Sequence, residues 1–114
     1  MKKQIDSALA DLLQRNVKLM IGPKIIRQGK LLIYTIDEYI ITITLKNLKK
    51  QVKIYDVYYP YSLYHEDNGD LVFDYTLEEL TGGKVEMIDE LLEISKAGKT
   101  HKLFNEKLHF VIDR

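Results

Sequence analysis

The stretch KLLIYTIDEYIITITLK, residues 30–46, constrains the fold more than any other part of the chain. It is dense in β-branched and aromatic residues, which suit extended backbone, and Asp37-Glu38 interrupts it once. The pattern predicts an antiparallel hairpin. With Asp37-Glu38 as a two-residue loop, Ile36 faces Tyr39, Tyr34 faces Ile41, and Leu32 faces Ile43, all on one side of the sheet. Leu31, Ile33, Thr35, Ile40, Thr42 and Thr44 then share the other side. Asp-Glu is not a preferred residue pair for so tight a turn, which favours residues that tolerate positive φ.

Around this hairpin the chain alternates helical and extended patterns. Ile5, Ala8, Leu9, Leu12 and Leu13 recur at helical spacing, which predicts an amphipathic helix over roughly residues 3–16. Gly22-Pro23 punctuates the chain, and NLKK separates the hairpin from a third strand, QVKIYDVY. LVFDY reads as another strand. Thr76 and Glu79 have capping-box spacing and open a helical turn that Gly82-Gly83 closes. Val85, Ile88, Leu91, Leu92 and Ser95 give a second amphipathic helix ending at Gly98. LHFVID is a closing strand, with KLF as its candidate partner through Asn105-Glu106. The expectation is one α+β domain over residues 1–114. It has a single antiparallel meander of four to six strands, an N-terminal helix, and a second helix before the last strand.

The 114 residues suffice for one core without staples, and the chain contains no cysteine, which excludes disulfides and thiolate metal sites. Neither a signal-peptide pattern nor an apolar run of membrane-spanning length is present, so the expected setting is cytoplasmic, without a membrane partner. Seventeen basic and 17 acidic residues cancel, but they are segregated. Residues 1–30 hold seven basic residues against two acidic ones, and residues 46–53 add four lysines. Residues 54–93 hold 11 acids against Lys84 alone. Such blocks attract an oppositely charged partner or each other.

YDVYYPYSLYHEDNGD, residues 55–70, concentrates the candidate chemistry. Asn68-Gly69 is the strongest turn signal, and a two-residue hairpin there pairs Glu66 with Leu71, His65 with Val72, Tyr64 with Phe73, and Ser62 with Tyr75. Tyr64, Leu71, Phe73 and Tyr75 would then share a face, with Leu63, His65, Asp67 and Asp74 opposite. Pro60 cannot donate to a ladder, which places Tyr58, Tyr59 and Tyr61 at an irregular sheet edge. There they either cover the protein's own sheet or meet a partner. The residues of HEDNGD lack EF-hand spacing, and His65, His101 and His109 lack zinc-site spacing, so no metal or cofactor is expected. No G-x-S-x-G and no P-loop occurs either.

Three functional readings follow. The first is a non-enzymatic protein-binding module of inhibitor, immunity or adaptor type. It would dock a basic protein partner through Tyr58, Tyr59 and Tyr61 and the acidic helix face of Glu86, Asp89, Glu90 and Glu93. A homodimer along the Pro60 edge is compatible with it. The second is a nucleic-acid or nucleotide binder using Lys46, Lys49, Lys50 and Lys53 with Tyr55 or Tyr59 as stacking platform. The third is a small enzyme or metal protein around His65.

Overall fold

The computed structural model describes residues 2–82, 84–95 and 106–114. Its elements in chain order are α1 (Lys2–Ala10), β1 (Asn16–Ile21), β2 (Lys24–Ile36), β3 (Ile40–Lys46) and β4 (Val52–Tyr58), then β5 (Ser62–His65), β6 (Leu71–Tyr75), α2 (Leu77–Thr81), α3 (Val85–Ser95) and β7 (Leu108–Ile112). The seven strands form one sheet in the order β4-β3-β2-β1-β7-β6-β5, every neighbouring pair antiparallel. The fold is α+β with a single antiparallel sheet. The last strand lies inside it, between β1 and β6, and any pairing with residues 102–104 falls outside the described residues.

β4 and β5 are the two outer strands, yet only residues 59–61 join them. Four Cα steps reach at most about 14 Å, whereas seven flat strands would separate these edges by about 29 Å. The sheet must therefore roll until its edges nearly meet. Tyr55 of β4 and Phe110 of β7, four strands apart in the sheet, touch edge to face across the interior, with ring centroids 5.8 Å apart. α2 packs against both β4 and β6 and so covers the seam between the edges.

The concave face is the core. Val17, Leu19 and Ile21, then Ile41, Ile43 and Leu45, then Leu108, Phe110 and Ile112 point into it at alternate positions. Ile5 and Leu9 of α1 and Leu91 of α3 are buried in the same cluster.

Both predicted hairpins form with a different register. The β2–β3 loop takes four residues, closed by the Asp37 amide donating to the Ile40 carbonyl (2.8 Å), and it pairs Ile36 with Ile41 and Tyr34 with Ile43. Neither Asp37 nor Glu38 adopts the positive φ that the tighter turn demands. A shift of two residues preserves the faces. A bulge between Leu31 and Ile33 then exchanges Leu32 for Leu31, which pairs with Leu45 and is buried.

At β5–β6 the shift is one residue, so the faces invert. His65 pairs with Leu71, Tyr64 with Val72, and Leu63 with Phe73. Gly69 alone takes positive φ (92°), its amide donates to the Glu66 carbonyl, and the Asn68 side chain accepts from the Asp70 amide. That is a three-residue loop with a glycine bulge. Tyr64 consequently faces outward with Asp74, and Leu63 and His65 share the face of Phe73.

The first helix ends at Ala10 rather than near residue 16. Leu12 stays buried in the turn beyond it, and Gln14 adopts positive φ and donates its amide to the Leu31 carbonyl. The chain thereby enters β1, a strand beyond those predicted, in which buried Val17, Leu19 and Ile21 alternate with half-buried Asn16, Lys18 and Met20. The predicted helix end at Gly98 lies outside the described residues. α3 is observed as Val85–Ser95.

Candidate functional site

The wide β2–β3 turn, the end of β4 and the exposed side of α2 enclose a concavity of about 610 Å³ lined by Glu38, Tyr39, Ile40, Tyr58, Tyr59 and Glu79. Each wall has a local cause. The four-residue loop lifts Tyr39 out of the ladder, leaving it 71% exposed. Ile40 pairs directly with Tyr58 on the outer side of the sheet, where neither side chain reaches the core. Tyr59 starts the crossing to β5, and its hydroxyl donates to the Asp37 carbonyl at 2.6 Å, which holds the ring against the turn. Glu79 belongs to the capping box of α2: its carboxylate accepts from the Thr76 amide (2.8 Å), and its own amide donates to the Thr76 hydroxyl (3.1 Å). The lining is aromatic and aliphatic. Among the described residues its only charges are two carboxylates.

The expected tyrosine edge divides. Tyr58 and Tyr59 join this concavity, and Tyr61 lines a separate cleft of about 300 Å³ with Tyr75, Leu77 and Lys107. Pro60 between them is buried in the crossing rather than exposed on an edge. Tyr39, which the sequence reading placed in the hairpin, and Glu79, read only as a cap, complete the site. The signal available for Tyr39 was the poor fit of Asp-Glu to a two-residue turn.

The acidic helix face lies elsewhere. Glu90 binds Arg27 (2.6 Å) and Lys53 (3.4 Å), both of which point to the concave side beside Leu19 and Leu45. It is paired within the fold, with 30% of its side chain still exposed. Glu86, Asp89 and Glu93 are exposed, but Lys53 and Tyr58 stand five residues apart on β4. The Glu90 anchor is therefore about 17 Å along the strand from the tyrosine concavity.

The lysine stretch also splits. Lys46 and Lys49 line a depression of about 670 Å³ with Lys30, beside Leu48, which is 99% exposed. Lys50 occupies the turn at positive φ, and Lys53 is turned to Glu90. Tyr55 is only 2% exposed, in the core against Phe110, so its ring offers no face to a base. Burial pushes its hydroxyl up to about 12, against the opposing pull of Arg27.

His65 is exposed in a groove between α1 and β5 that it shares with Lys3, Asp11 and Arg114. His109 stands on the opposite face of the sheet beside Asp74, so these two histidines do not converge, and His101 lies outside the described residues. Among the described residues no three histidine or carboxylate groups gather as a metal site. Asp70 instead accepts from the Arg114 amide and the Asn68 side chain.

One cluster had no sequence signal. On the outer face Lys107 binds the Tyr64 hydroxyl (2.6 Å) and approaches Asp74 (3.6 Å). The adjacent His109 ring places Nδ1 3.3 Å from the Lys107 carbonyl. Inverted register at β5 puts Tyr64 there.

Comparison with protein-family models, with curated proteins and with solved structures finds no match to the chain. No helix among the described residues is long and apolar enough to cross a membrane.

Proposed function

We propose that the protein is a small non-enzymatic binding module, of inhibitor, immunity or adaptor type, that docks a protein partner through the concavity of Tyr39, Tyr58 and Tyr59. The observation that carries this is an exposed aromatic surface where the β2–β3 turn meets the end of β4, with Tyr59 and Glu79 already held by hydrogen bonds. Tyrosine there supplies contact area at low ordering cost, as at protein interfaces generally. A cysteine-free chain suits a cytoplasmic setting.

A nucleic-acid reading retains one specific observation, the depression lined by Lys30, Lys46 and Lys49. Affinity capture from the cells of origin separates the two. The Tyr39→Ser/Tyr58→Ser variant is expected to lose a protein partner that wild type and a Lys46→Glu/Lys49→Glu variant both retain. An unchanged partner list with the tyrosine variant would remove this surface from the function. Sedimentation over a range of concentrations tests the homodimer, in which a second copy would be the partner lost.

A further inference from the structure

Resting on the docking reading above, we infer that the concavity is a receptor for an arginine side chain presented by the partner. Among the described residues its lining charges are Glu38 and Glu79 alone, so a cation is the complementary guest and an anion is repelled. Tyr39, Tyr58 and Tyr59 line the concavity together with those carboxylates, and a cation over a tyrosine face gains from the ring quadrupole. Among the described residues that contact occurs twice: Lys107 Nζ lies 5.3 Å from the Tyr64 ring centroid and Lys53 Nζ 5.9 Å from that of Tyr55.

Arginine fits better than lysine for two reasons. Its planar guanidinium can stack on a tyrosine while its N–H groups reach carboxylates, whereas an ammonium is a compact point charge. The acceptor it would meet is also prepositioned. One Glu79 oxygen accepts from the Thr76 amide, which fixes the carboxylate while leaving further lone pairs for a second donor. Tyr59 is fixed by its bond to the Asp37 carbonyl, so less ordering remains for the moment of binding. About 610 Å³ exceeds what one side chain fills, so residues flanking the arginine occupy the remainder along Ile40 and Tyr58.

The test is amide chemical-shift mapping on ¹⁵N-labelled protein with the blocked peptide Gly-Ser-Arg-Ser-Gly and its lysine, glutamine and glutamate counterparts. The arginine peptide is expected to shift the amides of residues 37–41, 57–59 and 79, binding roughly tenfold more tightly than the glutamine peptide and more tightly than the lysine one. Glu38→Gln and Tyr39→Ala, both at exposed turn positions, are each expected to weaken it several-fold with no change in thermal midpoint. Shifts on the concavity that are as large with glutamine or lysine overturn the arginine assignment while leaving docking there intact. Shifts confined to the Lys30, Lys46 and Lys49 depression, or none at millimolar peptide, also overturn it. Failure of the docking reading itself is seen separately, as partner capture indifferent to Tyr39→Ser/Tyr58→Ser.

Discussion

Tyr55 and Tyr75 each carry a hydroxyl into the core, and neither makes a hydrogen bond among the described residues. Burial raises both phenols above the usual range, with nearby Glu79 adding to the effect at Tyr75. The Tyr75 ring packs edge to face on Phe73 and Phe110, and only its oxygen is unserved. Tyr75→Phe keeps those contacts and removes a desolvated polar atom. Urea denaturation is therefore expected to show stability unchanged or raised by up to about 2 kcal/mol. A loss of more than about 1 kcal/mol would mean that the hydroxyl has a partner. Tyr39 and Tyr58 are the opposite case, since their rings are exposed where Tyr55 and Tyr75 are enclosed. Nothing in the local sequence of these four residues separates them. The difference comes from register, which places Tyr55 opposite Ile43 on the core face and Tyr58 opposite Ile40 on the outer one.

Helices and strands were largely legible as elements, and turns decided what they present. The cap at Thr76 was readable from spacing alone, because a hydroxyl and a carboxylate three residues apart satisfy each other's backbone amides, and the structure makes both bonds. Thr76→Ala is expected to lower stability by about 1 kcal/mol in chemical denaturation. Arginine-peptide binding should be retained, because the bond that holds the Glu79 carboxylate comes from the Thr76 backbone amide, which alanine keeps. A large loss of affinity would show that the hydroxyl also positions Glu79. The Asn68-Gly69 turn shows the limit of local reading. The dipeptide correctly marked a hairpin, but a two-residue loop and a three-residue loop with a glycine bulge use the same letters. One residue of difference sent Tyr64 outward to Lys107 and Leu63 inward to Phe73. The four-residue loop at residues 37–40 similarly brought Tyr39 to the site.

At the scale of the molecule, segregated charge is partly consumed by folding. Arg27 and Lys53 from the basic regions meet Glu90 from the acidic one, as the plainer account of charge blocks expected. Closure of the sheet was not legible, because it depends on which strands are outermost, and only the insertion of β7 between β1 and β6 fixes that. The same insertion buries His109 beside Asp74. Burial lowers its pKa below the ordinary 6.5. The Lys107 carbonyl, Asp74 and Glu66 pull upward, and the Lys107 charge pulls downward. The unfolded chain therefore takes up a proton before the folded one does. The stability contributed by neutral His109 is complete above pH 6.5 and is lost as pH falls through the lower, folded value. His109→Gln is expected to flatten that part of the thermal midpoint's decline between about pH 7 and 5. An identical decline in the variant would assign it to carboxylates instead. Docking of a partner at the tyrosine concavity can be read out by photo-crosslinking in the cells of origin. Benzoylphenylalanine would be placed at Tyr39 in one variant and at Leu48 in another, since both positions are exposed and they sit at opposite ends of β3. The expected result is a discrete covalent adduct from position 39 and none from position 48. Adducts from position 48 alone would contradict it and move the function to the lysine-lined depression.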